Sequence, residues 1–182
     1  MDVRKTATIV LAISLVVNII AIRQLAIMKD RRKQQNHENL QEIGDYVGLY
    51  ADDLNRYLTD QDPIILYEMK RCYDVLRKLS QNTKPADGLF KDEYENKLVL
   101  ALGDTMRVIS NINLRIERQA EGFDNETRSK LLECAKDLGV LSQLLDELCR
   151  DVENYDSSLR NKNIGSIIEL TDQMSGNCLY PQ

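Results

Sequence analysis

The side chains best suited to chemistry in this sequence are four cysteines and one histidine. The cysteines are Cys72, Cys134, Cys149 and Cys178, and since none belongs to a Cys-x-x-C pair their spacing argues against a zinc site. Cys134 and Cys149 lie on one predicted helix at positions roughly 22 Å apart along its axis, so they cannot bond to each other. The pattern predicts packed free thiols, which are typical of a reducing compartment.

The histidine, His37, lies in a segment rich in Gln and Asn, far along the chain from any candidate nucleophile. A Ser-His or Cys-His pair would need this residue, and a di-iron bundle would need Glu-x-x-His on two core helices. Gly44 and Gly48 lack the Lys-Ser/Thr sequence of a phosphate loop. Acidic pairs such as Asp52-Asp53 are typical of solvated helix faces. The sequence therefore predicts a protein that is not an enzyme and has no cofactor or metal.

Residues 6–22, TATIVLAISLVVNIIAI, form an apolar run without a charged side chain. A helix of this length spans roughly 26 Å, slightly short of a ~30 Å hydrocarbon core, so flanking side chains must reach the interface. A cleaved signal peptide would need a small-x-small site, and a buried core helix would need regularly spaced polar positions. We therefore predict a membrane anchor with a basic flank in residues 1–33. The predicted interfacial residues are Arg4, Lys5, Arg23, Lys29, Arg31, Arg32 and Lys33.

Charge is divided along the chain. Residues 1–33 hold seven of the 24 basic and two of the 29 acidic side chains, which leaves 17 basic and 27 acidic side chains for residues 34–182. An acidic body is repelled by phosphate backbones, so we expect lipid and protein partners but no nucleic acid. The larger basic count after the apolar run favours a cytoplasmic body, whereas a short basic N-terminus before an uncleaved run is also the form of an anchor whose body lies outside. The predicted location is the cell membrane, and these counts do not decide on which side of it the body lies.

Five stretches after the anchor place apolar residues at helical spacing, and none alternates like a strand. They cover residues 36–58, a second helix from Pro63 behind the candidate cap Asp62, then residues 90–120, 126–155 and 158–174. Asn125 is interpreted as the cap of the fourth helix rather than as a glycosylation site. The predicted fold is all-α, with an N-terminal transmembrane helix followed by an antiparallel up-down bundle of four to five helices. The bundle takes up residues 34–175, and a tail takes up residues 176–182.

Two sets of residues are candidates for partner contacts. Tyr46, Tyr50 and Tyr57 follow one edge of the apolar stripe on the first helix, where amphipathic rings suit protein contacts and core packing is the alternative. Leu100 and Leu114 lie opposite the main stripe of the third helix. That position predicts a helix covered on a second flank, either by neighbouring helices or by a partner.

Asn18 lies inside the apolar run, where its amide can hydrogen-bond to another copy of the helix or be tolerated near the interface. Two functions follow from these features. The first is a non-enzymatic, membrane-anchored scaffold or adaptor that binds a protein partner. The alternative is a single-pass ligand-sensing bundle that signals through homodimerisation.

Short motifs add a resemblance to a known family. Leu66-x-Glu68-Met69-x-Arg71 opens the second helix, Leu102-Gly103-Asp104 lies in the third, and Glu121-Gly122 precedes the leucine-rich fourth. Together with a short basic N-terminus and one anchor, this order resembles the N-terminal region of YpeB-type spore germination proteins over residues 6–155. The resemblance implies a body outside the membrane that holds a cell-wall lytic partner. It carries over no catalytic residues, and the C-terminal repeat domains of that family are not in this sequence.

Overall fold

A computed structural model describes residues 3–83, 93–118, 123–153 and 157–179. These residues form five helices, α1 (Val3–Asp60), α2 (Pro63–Asn82), α3 (Glu93–Arg118), α4 (Asn125–Glu153) and α5 (Ser157–Leu179). Within the described ranges there is no strand. The predicted all-α fold class is confirmed.

The chain divides into two compact units, Met1–His37 and Glu38–Gln182. The first unit consists of the N-terminal part of α1, and the second contains the rest of α1 and the four other helices. No helix in the described part of the chain combines the length and the apolar character needed to cross a membrane. Residues 6–12, with which the predicted anchor begins, lie outside the residues whose side chains are described.

Local residues explain the connection between α1 and α2. Gln61 has a left-handed backbone, with a φ of 51°, and its N–H donates to the Tyr57 carbonyl at 2.8 Å, which closes the last turn of α1. The Asp62 Oδ1 then accepts a hydrogen bond from the Ile64 N–H at 2.8 Å. Pro63 occupies the first position of α2, where no N–H is needed. The predicted cap and start of α2 are confirmed.

The second unit has one core to which all five helices contribute. Buried residues recur along each helix at the spacing that the sequence predicts, and together they form one cluster. The five helices therefore pack as a bundle. Its core includes Ile43, Val47, Leu54 and Leu58 of α1, Ile65, Met69 and Leu76 of α2, Leu98, Val108, Ile109 and Ile112 of α3, Leu131, Leu138, Leu141 and Leu145 of α4, and Ile164, Ile167 and Met174 of α5.

α1 and α4 approach each other closely at two glycines. A Cβ atom added to Gly48 would lie 2.8 Å from the Ser142 Oγ, and one added to Gly44 would lie 3.3 Å from the Leu145 Cβ. The Ser142 hydroxyl also donates to the Gly44 carbonyl at 2.8 Å. The Gly44 and Gly48 pair, which lacks the features of a phosphate loop, is thus part of a close helix contact, in which an added side chain at residue 48 would displace the Ser142 hydroxyl.

α4 is capped by Asp124, so the prediction of Asn125 as the cap is wrong by one residue. The Asp124 Oδ1 accepts from the Thr127 N–H at 2.6 Å, and its Oδ2 accepts from the Thr127 hydroxyl at 3.2 Å. These bonds, the backbone one first, lower the pKa of Asp124 because they stabilise the carboxylate. Asp and Asn are both good caps, and the position of the first helical turn decides between them.

Cys134 of α4 and Cys178 of α5 form a disulfide, with their Cα atoms 6.6 Å apart. The prediction of free thiols is therefore wrong for these two cysteines, while Cys72 and Cys149 are buried and are not disulfide-bonded. α5 extends to Leu179, beyond its predicted end near residue 174, and this extension brings Cys178 to Cys134. The paired cysteines are 44 residues apart on different helices, so no local spacing could indicate the bond.

Candidate functional site

Tyr50 lies in the core, so its prediction as a partner contact is wrong. Its side chain is 0% exposed, and its hydroxyl donates to the Asn113 Oδ1 of α3 at 2.8 Å. Burial, together with nearby Cys72 and Tyr73, raises the pKa of Tyr50 well above its ordinary value, so the hydroxyl keeps its proton. At Tyr50 the edge of the α1 stripe that suggested a surface is therefore buried, and Asn113 of α3 contacts it.

Tyr46 and Tyr57 are half-buried and pack against the core. The ring of Tyr57 meets the ring of Phe123 edge to face, with centroids 6.4 Å apart and an interplanar angle of 83°. Each of the two tyrosines therefore has a packing role and leaves part of its side chain accessible. Their participation in partner binding stays a prediction.

Leu100 and Leu114 face outward from α3. Leu100 is 69% exposed and Leu114 is 44% exposed, so of the two predicted alternatives, cover by neighbouring helices is wrong and cover by a partner stays a prediction. The two leucines lie on similar sides of the helix, because 14 residues are close to four turns. Arg107 lies midway between them, exposed and paired with Asp104 at 3.0 Å. The face therefore presents two apolar points separated by an ion pair.

Two further exposed apolar residues, Ile64 and Tyr67, lie on α2, and the sequence analysis did not select them. Their side chains are 66% and 70% exposed. They are three residues apart and so share one side of α2, and each is off the buried stripe that includes Ile65 and Met69. That offset in helical phase was the signal in the sequence.

An ion pair joins α2 to α3 near these exposed residues. Lys70 of α2 and Glu117 of α3 form an ion pair at 2.8 Å, with each side chain 47% exposed. On the side of α1, burial first and then the charge of Glu68 raise the pKa of Asp53, while Arg56, at 3.2 Å, opposes the shift. Among the residues that the structure describes, no three His, Cys, Asp or Glu side chains come together in a group that could hold a metal ion.

The first unit exposes apolar side chains on all sides of α1. Ten large ones between residues 13 and 28 are each 45–67% exposed: Ile13, Leu15, Val16, Val17, Ile19, Ile20, Ile22, Leu25, Ile27 and Met28. Asn18 is exposed among them. Of the predicted interfacial residues, Arg23, Arg31 and Arg32 are exposed and Lys29 is half-buried, whereas the side chains of Arg4, Lys5 and Lys33 lie outside the described residues.

No protein family, curated protein or solved structure matches this chain significantly. The features described above define a five-helix bundle preceded by an apolar helical segment. The resemblance to the N-terminal region of YpeB-type proteins stays a prediction.

Proposed function

We propose that this protein is a non-enzymatic scaffold, in which a single-pass anchor tethers a helical bundle to the cell membrane and the bundle binds a protein partner. The observation that carries the proposal is the ring of exposed apolar side chains from Ile13 to Met28. Apolar surface in water costs about 25 cal/mol per Å², and monomeric soluble proteins rarely expose a contiguous patch of this kind. In the sequence the apolar run begins at residue 6, so lipid is its natural cover.

The use of polar groups in the second unit supports a scaffold. The buried Tyr50 hydroxyl is bonded to Asn113, and the Ser142 hydroxyl is bonded to the Gly44 carbonyl, so both serve contacts between helices. The one histidine of the sequence, His37, belongs to the other unit. We propose an antiparallel up-down order for the bundle, in line with the two-residue connection between α1 and α2.

The proposed partner surface consists of the outward apolar side chains Leu100 and Leu114 of α3 and Ile64 and Tyr67 of α2. Exposed aromatic and aliphatic side chains among charged ones are the usual anchors of a protein contact. The resemblance to YpeB-type proteins extends the proposal to a partner in the cell envelope. Tyr46 and Tyr57 contribute at most their accessible edges.

The homodimeric sensor is the second candidate function, and the exposure of Asn18 within an apolar helix favours it. An amide in lipid gains a hydrogen bond when it meets the same residue of another copy. The scaffold predicts a second protein near the exposed residues of α2 and α3, whereas the sensor predicts another copy of the chain near Asn18. Crosslinking therefore distinguishes the two functions.

Washing of membranes with alkaline carbonate tests the anchor. We expect the full-length protein to stay in the membrane pellet. A variant with Ile13→Lys and Val17→Lys should move to the soluble fraction, because each charged side chain near the centre of an apolar segment costs about 2.5–3.5 kcal/mol. Release of the unmodified protein would rule out the proposed anchor.

Photo-crosslinking in intact membranes tests the partner surface. A benzoylphenylalanine placed at Leu100 or Tyr67 should give adducts with a second protein, and the same group at the exposed Gln143 of α4 serves as the matched control. Equal amounts of adduct at Gln143 would show that α2 and α3 do not form a specific partner surface. A ligand-dependent homodimer trapped through Asn18→Cys, without adducts at Leu100 or Tyr67, would favour the sensor.

A further inference from the structure

The disulfide between α4 and α5 lies inside the bundle. Cys134 and Cys178 are each 2% exposed and both belong to the core cluster. Their Cα atoms are 6.6 Å apart, within the range that a disulfide spans. Because the two sulfur atoms are shielded from solvent, a dissolved thiol reaches the bond only when α5 separates from α4.

We infer that the bundle folds and works in an oxidising compartment, on the side of the membrane away from the cytoplasm, with the Cys134–Cys178 disulfide formed in the native protein. Buried structural disulfides belong to exported proteins, whereas cytosolic thiols are kept reduced. The assignment of a side of the membrane rests on the proposed anchor. The presence of the disulfide does not, because it concerns the second unit alone.

The remaining cysteines suit such a compartment because they are protected. Cys72 is 9% exposed and Cys149 is 6% exposed, so both side chains are shielded from oxidants and thiols dissolved in the solvent. Burial first, and then the charges of Asp53 and Glu68, raise the pKa of Cys72 and lower its thiolate content. Since the thiolate is the species that attacks a disulfide, burial and the raised pKa both disfavour an attack of Cys72 on the native disulfide.

Formation of the bond needs an oxidant, and we assign this role to a protein of the thiol-disulfide oxidoreductase class. The Cys134 thiolate attacks the oxidant's disulfide, one of its two sulfur atoms leaves as a thiolate, and a mixed disulfide forms. The Cys178 thiolate then displaces the oxidant from Cys134. Two thiols and one disulfide thus become one disulfide and two thiols, and the oxidant carries away both electrons and both protons.

The charges that flank the apolar run point to the other side. Five basic residues follow the run, from Arg23 to Lys33, and two precede it, Arg4 and Lys5. This bias is statistical, and the excess here is small. The redox state of a buried cysteine pair reports the compartment chemically, so we give the disulfide precedence.

Thiol counting on the full-length protein tests the disulfide. Cells that produce it are quenched in acid, and the denatured protein is modified with a maleimide carrying polyethylene glycol, before and after reduction. We expect modification of Cys72 and Cys149 before reduction and of all four cysteines afterwards. The variant Cys134→Ala/Cys178→Ala is the matched control and should gain two adducts in both samples. Four adducts on the unmodified chain before reduction would overturn the inference.

A reporter cysteine tests the side of the membrane. Gln143→Cys places a thiol at an exposed position of α4, whereas Cys72 and Cys149 are buried and provide the background in the unmodified chain. A membrane-impermeant maleimide should label Gln143→Cys in intact cells. Labelling only after permeabilisation would place the bundle in the cytoplasm and overturn the assignment. Release of the protein by carbonate is a separate result. It would refute the proposed anchor, whereas the thiol count would still show whether the bundle folds in an oxidising environment.

Discussion

At the scale of single residues, the pair of Tyr50 and Asn113 fixes α1 against α3 by a polar contact within an apolar core. The hydroxyl and the amide oxygen are 2.8 Å apart, and both residues are buried. Tyr50→Phe should lower the free energy of unfolding by about 1–3 kcal/mol, because it leaves the Asn113 oxygen without this donor. Tyr67→Phe is the control on an exposed tyrosine. Chemical denaturation of the purified protein measures both, and equal stability of the two variants would contradict a role for the pair.

Burial of the same hydroxyl predicts a loss of stability at alkaline pH. The pKa of Tyr50 is raised in the folded protein, whereas in the unfolded chain it is about 10. Below that pH the folded and the unfolded chain both keep the proton, and the contribution of Tyr50 to the free energy of unfolding is complete. Above it the unfolded chain loses the proton first, so the free energy of unfolding falls as pH rises towards the native pKa. Cys72, whose pKa is also raised, acts in the same direction.

Denaturation series from about pH 7 to pH 11 measure this effect. We expect a shallower decline for Tyr50→Phe than for the unmodified protein, since the variant lacks the titrating group. An identical slope for both proteins would assign the alkaline loss to other residues.

At the scale of the helices, the contact between α1 and α4 depends on the absence of a side chain at residue 48. Gly48→Ala should forfeit the gain of about 0.5–1 kcal/mol that alanine brings to a helix. The new Cβ would lie 2.8 Å from the Ser142 Oγ, which must rotate away and lose its hydrogen bond to the Gly44 carbonyl, worth about 0.5–1.5 kcal/mol. Gly103→Ala is a matched control in α3, where no atom lies within 4 Å of the added Cβ. It should stabilise its helix by about 0.5–1 kcal/mol. Thermal unfolding would refute the close contact if both alanines had the same effect, and Ser142→Ala should relieve part of the cost of Gly48→Ala.

The apolar face of α4 gives a second test at this scale. Leu138→Asp should unfold the bundle, since a buried carboxylate without a partner costs several kcal/mol against a total of about 5–15 kcal/mol. Val140→Asp is the control on the same helix, because Val140 is 39% exposed whereas Leu138 is 0% exposed. Melting followed by circular dichroism should separate the two variants. A normal melt for Leu138→Asp would show that this face is not core.

At the scale of the whole molecule, the disulfide joins two helices across 44 residues of chain. Closing a loop of that length in the unfolded state is worth about 4 kcal/mol in the chain-entropy treatment. Cys134→Ala/Cys178→Ala should therefore lower the free energy of unfolding by about 2–4 kcal/mol. Reductant should destabilise the unmodified protein and leave this variant unchanged. A reductant effect of equal size on both would have to come from elsewhere in the chain.

The sequence alone determined the features that depend on short-range order. The helical period of the apolar residues identified the core stripes of the second unit, and Asp62 and Pro63 identified the start of α2. The same order placed Leu100 and Leu114 off the main stripe. These features were readable because a helix fixes which residues share a side, and because caps act within one turn.

The tertiary structure decided everything that depends on what lies opposite a residue. Tyr50 and Tyr57 follow the same edge of one stripe, yet the packed helices bury the first completely and the second only in part. Gly48 lies against Ser142 of α4, and the extension of α5 brings Cys178 within bonding distance of Cys134. Helical periodicity fixes the direction in which a side chain points from the axis of its own helix. The partner in that direction depends on how separate helices pack, and this is set by the fit of all their surfaces together.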